Sequence, residues 1–432
     1  MRRILASSFI GSAIEFYDFL LYATASSIVF ASLFFAGMGE GLAVVASFAT
    51  LAAGYLARPL GGLVFGHFGD RLGRKKALVV SMIIMGSVTV IVGLMPPASQ
   101  IGIVAPISLL VLRVVQGIAV GGEWGGAALM ALEHAPRRKR GFAASFANAG
   151  GPAGAVLATL VMSLMTVLTG DQFVVWGWRI PFVFSAVLIV VGLVIRLKVS
   201  ESPVFQALEE ESDRRRLPIA EVLRHHLKPV LIGLSVAVSV YTTQSLVTVW
   251  GVSMAVAANE DKTWVLNWKA GGSLIMIIVC FASARISDKI GRSRTIFVAC
   301  LITAGAALPL TFLIGSGHIA LFAIAILVGQ GVVQGAMYGP ISAYVAELFP
   351  APVRYTGASL AYQGSAALGA GLMPLAASAL MLLPSGGLWW IGALWGGIAV
   401  LSASVVTMHA RRSTQNSELD PISAPKELSS RR

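Results

Sequence analysis

Five ionisable residues of this 432-residue chain stand inside long apolar runs: Glu15, Asp18, Arg58, Arg113 and Glu123. A carboxylate in such surroundings can take up a proton, and a guanidinium can hold either that carboxylate or an anionic ligand in a two-pronged grip. On a helix advancing 100° per residue, Arg113, Gln116 and Glu123 fall within an arc of about 80°. One face then carries a cation, an amide and an acid. Glu15 and Asp18, three residues apart, nearly share a face as well. Two chemistries are open. Asp18, Glu123 or Glu15 binds a proton and thereby frees Arg58 or Arg113 for an anion, or the same charges form permanent buried salt bridges that fix helix contacts.

A second group is polar without charge. Gln330, Gln334 and Tyr338 recur every four residues and so lie near one stripe, and Tyr241 precedes Thr242 and Gln244 in another apolar run. These residues could complete a binding site, or they could hydrogen-bond neighbouring helices.

The elements that position them follow from composition. Hydrophobic residues make up 56% of the chain and charged ones only 12%, against roughly a quarter charged in a soluble domain. Apolar runs fall near 9–35, 42–66, 77–95, 102–132, 142–168, 179–197, 230–257, 265–286, 295–314, 319–346, 356–383 and 388–408, each long enough to span a bilayer at about 20 residues per crossing. The fold class is an all-α integral membrane protein of twelve helices. No small-residue cleavage signal ends the first run, so it is expected to stay as a helix. Trp178, Trp389 and Trp390 fall at outer helix ends, where interfacial anchoring is expected. Arg179 and Lys269 are placed at outer helix edges.

The net charge of +12 carries orientation. Of the 32 Lys and Arg residues, 27 lie at the termini and in alternate loops on one side, which predicts both termini in the cytoplasm. It is not a footprint for nucleic acid. Cys280 and Cys300 are both inside apolar stretches, so neither a disulfide framework nor a Cys-rich metal site is available, and no cofactor is expected. The organisation reads as a six-helix bundle over 1–198, a cytoplasmic linker over 199–229, a second bundle over 230–410 and a disordered cytoplasmic tail over 411–432.

The chain repeats itself. Gly66-His-Phe-Gly-Asp70-Arg-Leu-Gly73-Arg74 matches Ala284-Arg-Ile-Ser-Asp288-Lys-Ile-Gly291-Arg292. Gln116, Gly117, Gly121, Glu133, Pro136 and Arg140 recur as Gln330, Gly331, Gly335, Glu347, Pro350 and Arg354. One six-helix unit is used twice in parallel orientation, with a central site between halves that rock. Arg113 and Glu123 have no charged counterpart in the second copy, where Leu327 and Met337 stand.

The Asp70 loop, its echo at Asp288 and Arg113-Val-Val-Gln-Gly-Ile resemble the signature motifs of the major facilitator superfamily. More narrowly, Glu15-Phe-Tyr-Asp18-Phe, Arg58-Pro-Leu-Gly-Gly, Gln116-Gly-Ile-Ala-Val-Gly-Gly-Glu123-Trp-Gly-Gly and Trp176-Gly-Trp-Arg-Ile-Pro-Phe resemble the metabolite:proton symporter family, the first half being most similar to shikimate and carboxylate carriers. The resemblance implies a proton-coupled symporter in a bacterial inner membrane. It would import a small polar, carboxylate-bearing metabolite, such as shikimate or a di- or tricarboxylate, by alternating access.

On this reading Asp18, Glu123 and Glu15 couple protons, and Arg58, Arg113, Gln116, Tyr241, Gln330, Gln334 and Tyr338 hold substrate. Asp70, Arg74, Glu133, Asp288, Arg292 and Glu347 form a cytoplasmic latch on the outward-facing state. The expected partners are a small molecule, protons and the lipid bilayer, with a monomeric carrier. An uncoupled uniporter or exchanger and a betaine- or proline-type osmolyte carrier are the alternatives within transport, and a membrane nutrient receptor the alternative outside it. An enzyme is not expected, because no nucleophile–base pair or metal cluster is found near a membrane face. Asp18→Asn and Glu123→Gln are expected to abolish gradient-driven accumulation with membrane insertion intact; uptake into energised vesicles checks this, and full accumulation by both variants refutes the proton assignment.

Overall fold

In hydrocarbon every backbone N–H and C=O must find its partner within its own segment, so an apolar run of this length can only wind into a helix. The computed structural model describes residues 2–72, 74–121, 140–197, 218–350, 353–383 and 387–419, and among them there is no strand. The spanning helices are α1 (Arg2–Ile28), α2 (Glu40–Leu72), α3 (Arg74–Leu94), α4 (Val104–Gly121), α5 (Arg140–Thr169) and α6 (Arg179–Leu197) in the first half. The second half has α7 (Leu227–Ala257), α8 (Lys262–Ile290), α9 (Arg292–Ile314), α10 (Ile319–Glu347), α11 (Arg354–Met381) and α12 (Leu388–Leu419).

Among the described residues nine of these helices are long and apolar enough to cross a membrane on those grounds alone, while Val79–Leu94 and Arg179–Ile195 are shorter apolar helices. The twelfth, α1, carries Glu15 and Asp18 in its middle. Helix ends overrun the apolar runs, because polar turns continue the winding past the hydrocarbon. The clearest case is α12, which is helical to Leu419 where the sequence starts a disordered tail at 411. Likewise Pro218–His225, inside the expected linker, forms a short helix whose Val222 is fully buried.

Three helices of the second half change their winding partway. A π turn runs over Leu246–Trp250 in α7, over Leu327–Gln334 in α10 and over Ala367–Leu372 in α11. Such turns are uncommon and concentrate where a helix must re-aim side chains. The α10 turn contains both Gln330 and Gln334.

Within the first half, α2 and α4 touch backbone to backbone. A Cβ added at Gly61 would overlap the carbonyl of Ile118, one at Gly117 the carbonyl of Gly54, and one at Gly121 the carbonyl of Arg58. Small residues at such crossings give close approach in lipid, where dispersion between helices replaces hydrophobic drive. This crossing sets Arg58 and Arg113 side by side. Between α8 and α9, Gly291 has φ +97°, a conformation that costs a side-chain-bearing residue and lets two long helices reverse direction in one step.

Trp178 departs from its expected place. The sequence puts it at the lipid interface, yet it is fully buried, edge-on to Phe30, Phe34 and Phe182 with ring centroids 5.7, 6.2 and 5.6 Å away. Aromatic edges and faces attract, and the cluster seals one end of the first bundle. Trp389 and Trp390 are exposed, as anchors should be.

Gly117→Ala is expected to destabilise the protein by about 1–3 kcal/mol, because the added methyl meets backbone that cannot step aside. Gly397→Ala, whose Cβ meets nothing within 4 Å, should leave thermal unfolding in detergent unchanged. Equal melting temperatures for the two variants would contradict the contact.

Candidate functional site

On α1, residues 15–24 face three different neighbours, because each step of one residue turns the side chain by 100°. Glu15 and Asp18 are buried, at 3% and 1% exposure. Asp18 points toward α3 and α6: a Cβ on Gly86 would stand 3.5 Å from its Oδ2 and would overlap Ile189. The next residue, Phe19, faces the opposite pair, α2 and α4. Both guanidiniums lie against its ring, Arg58 and Arg113 each 3.8 Å from the centroid. Arg58 also covers Tyr55 at 4.4 Å, and Arg113 covers Tyr22 at 4.1 Å.

A guanidinium over an aromatic face gains about 2 kcal/mol when water is excluded. That contact takes the place of the carboxylate that matching depth along the sequence suggests for Arg58. Among the described residues no carboxylate lies within ion-pair distance of Arg58 or Arg113. Arg113 Nη1 donates to Gln116 Oε1 in a short contact, and Gln116 Nε2 donates to Thr89 Oγ1 at 2.8 Å. Arg58 Nε and Arg113 Nε and Nη2 have no hydrogen-bond partner among the described residues.

The second half lines a cavity with amides, hydroxyls and one further cation, and neither Arg58 nor Arg113 is among the residues lining it. Gln330, Gln334 and Tyr338 of α10 line a central cavity together with Gln244 and Thr248 of α7 and Lys269 of α8. Phe16 and Leu20 of α1 and Gly151 and Pro152 of α5 close it from the first half. Its interior volume is about 20 Å³, room for a single water. Gln330 Nε2 donates to Ser273 Oγ at 2.6 Å, and Tyr362 donates to Tyr338 Oη at 3.4 Å. Tyr241 stands behind this layer, its ring 5.2 Å from that of Tyr362.

Lys269 is the residue that sequence reasoning missed. Read as an outer helix edge, it is 3% exposed and donates from Nζ to Thr24 Oγ1 of α1 at 2.7 Å. Asp261 caps α8 by accepting from the backbone N–H groups of Thr263 and Trp264, so Lys269 lies seven residues into the helix, roughly 10 Å deep. The signal available in the sequence is its phase: Lys269, Ser273 and Met276 sit at i, i+4 and i+7, one stripe of α8.

Polar contacts tie the halves on both sides of the cavity. On the side of the α8–α9 turn, Asp288 accepts from the N–H groups of Gly141 and Phe142 at the start of α5, at 3.1 and 2.9 Å. A carboxylate at a helix N-terminus meets unpaired donors and the positive end of the dipole. Arg292 holds that carboxylate at 3.0 Å and Glu347 at 2.7 Å. Nearer the centre, Asn148 donates to the carbonyl of Tyr338 at 2.8 Å and accepts from Ser342 at 2.5 Å. On the other side lie Lys269–Thr24, Ser163–Asn267 at 2.8 Å and Thr166–Thr263 at 2.9 Å. Glu123 and Glu133, and the side chains of Asp70 and Arg74, lie outside the described residues.

Comparison with known proteins agrees with this architecture. The family profile described as Major Facilitator Superfamily matches residues 50–362. The inner membrane metabolite transport protein YhjE of Escherichia coli K12 is 40% identical over 386 residues, covering 87% of each chain. The shikimate transporter of the same organism is 35% identical over 386 residues, covering 88% of each. Among solved structures, the xylose transporter XylE from E. coli in a partially occluded inward-open conformation superposes with a TM-score of 0.73 at 17% identity, over 93% of this chain and 95% of that one. Motifs, duplicated halves and relatives converge: this chain is a multi-pass membrane transporter of small molecules, not an enzyme, and it belongs to the major facilitator superfamily.

Proposed function

We propose that the protein is a proton-coupled symporter that imports a small carboxylate-bearing metabolite by alternating access of its central cavity. The observation that carries this reading is the buried pair Arg58 and Arg113, both seated on Phe19 with no carboxylate in ion-pair range among the described residues. Two neighbouring cations in a low-dielectric interior create a field that an anion relieves. Aromatic faces that could cradle a quaternary ammonium are already covered by the guanidiniums, which speaks against a betaine-like cation at this spot.

Coupling follows from charge. Asp18 adjoins Phe19 in the chain and is buried. A proton taken up by Asp18, Glu15 or Glu123 removes a negative charge from the first bundle, and with it a competitor for the hold of the guanidiniums on an anion. By reciprocity the bound anion strengthens proton uptake by the same factor. Gln116, Tyr241, Gln330, Gln334 and Tyr338 supply hydrogen bonds, and Asp288, Arg292 and Glu347 with their counterparts Asp70, Arg74 and Glu133 latch the cytoplasmic side. The distribution of basic loops supports both termini in the cytoplasm, and we read the carrier as a monomer in the inner membrane.

In proteoliposomes with an imposed inward proton gradient, labelled shikimate or a dicarboxylate is expected to accumulate above its external concentration, and an uncoupler should abolish this. Uptake that only equilibrates, or that is indifferent to the uncoupler, points to a uniporter or exchanger, and uptake of betaine or proline in preference to these acids points to an osmolyte carrier. Arg113→Lys should lower carboxylate uptake by about tenfold or more, since an ammonium lacks the planar fork and the ring contact. Unaltered uptake kinetics in that variant would make Arg113 a purely structural residue.

A further inference from the structure

The cation on the other side of the cavity has no role in the reading above. Lys269 is buried and lines the cavity, yet among the described residues no carboxylate is within ion-pair distance of it. Its ammonium has three donors, and the partner found for it is the neutral hydroxyl of Thr24, which itself donates to the carbonyl of Leu20 at 2.9 Å. A desolvated ammonium facing only a hydroxyl is poorly compensated. Along the same wall, Oε1 of Gln330 and Oε1 of Gln334 are buried acceptors without a hydrogen-bond partner among the described residues. The cavity therefore offers one positive charge and two acceptors in want of donors.

A ligand that satisfies all three carries an anion at one end and hydroxyl groups at the other. We propose that Lys269 anchors the carboxylate of a hydroxylated organic acid whose hydroxyl groups donate to Gln330 and Gln334. This rests on the reading of the chain as a carboxylate carrier and specifies the substrate class within it. Thr24 belongs to the first half and Lys269 to the second, so their bond breaks when the outer side opens. The ammonium is then presented to an entering acid, and the hydroxyl of Thr24 serves as its stand-in only while the cavity is small.

The test uses the purified full-length protein and three probes: shikimate, its neutral carboxamide, and a cyclohexenecarboxylate without hydroxyls. Thermal stabilisation against concentration gives an affinity for each. The wild-type protein is expected to bind shikimate at least about tenfold more tightly than either analogue, a charge-assisted hydrogen bond being worth that much. Lys269→Gln should erase the preference for shikimate over the carboxamide, and Lys269→Arg should restore part of it. Gln330→Leu with Gln334→Leu should erase the preference over the hydroxyl-free acid while keeping acid over amide. Thr24→Val should keep the carboxylate preference.

A Lys269→Gln protein that still prefers the acid, or a Thr24→Val protein that matches Lys269→Gln, overturns the assignment and leaves the carrier reading standing. A wild-type protein stabilised by no carboxylate removes both. As a measurement free of variants, saturating shikimate should protect Lys269 of the wild-type protein from amine-reactive labelling, read by mass spectrometry, where the carboxamide does not. Equal labelling under both conditions contradicts the contact.

Discussion

A positive charge withdrawn from water must face something, and among the described residues three are so withdrawn: Arg58, Arg113 and Lys269. One helix answers all of them within two turns. Phe19 of α1 meets Arg58 and Arg113, Tyr22 meets Arg113 again, and Thr24 accepts from Lys269. The intervening Leu20 lines the cavity itself. Any displacement of α1 therefore alters the surroundings of every buried cation at once. Charge in the cavity and position of α1 are bound together by the cost of leaving a cation bare.

The duplicated scaffold is used unequally. Its first copy holds the arginines and the acidic pair of α1 on regularly wound helices whose backbones touch at glycine. Its second copy carries amides and tyrosines on α7, α10 and α11, each interrupted by a π turn. In regular winding, side chains four residues apart drift by about 40°. The wider turn through Leu327–Gln334 drifts the opposite way, so Gln330, Gln334 and Tyr338 return toward one line along the cavity wall. Rigid electrostatics in one half and re-aimed hydrogen bonding in the other suit a site where an anion is attracted by the first and recognised by the second.

Much of this is legible in the sequence, and the parts that are not share a cause. Apolar length gives the all-helical membrane fold, and the motifs give the superfamily. The four-residue stripe of α10 leads straight to the cavity. Depth along a helix is also legible, which is why Asp18 and Arg58 look like partners. Azimuth across helices is not: a step of one residue turns Asp18 toward α3 and Phe19 toward α2 and α4, and the arginines follow Phe19. Trp178 and Lys269 fail the same way, since a polar-tipped residue near a helix end reads as interfacial whichever way it points. Only the neighbouring helices decide that Trp178 closes an aromatic cluster and Lys269 reaches Thr24.

The two kinds of contact between helices differ in what they permit. Where α2 and α4 cross, backbone meets backbone, and separation would expose surface that nothing else fills; such contacts hold a half together as one body. Between the halves, the polar ties on the side of the α8–α9 turn include the hydrogen bonds of Asp288 and Asn148, and those on the opposite side include Lys269–Thr24, Ser27–Val249, Ser163–Asn267 and Thr166–Thr263. Each such bond contributes about 1 kcal/mol net, so the polar ties on either side together amount to a few kcal/mol. A ligand shifts such a balance only by its differential affinity for the two arrangements, and a few kcal/mol of preference is enough. A cavity of about 20 Å³ admits no organic acid. Substrate must therefore enter an arrangement in which one set of ties is already broken, and its own contacts must take over from them.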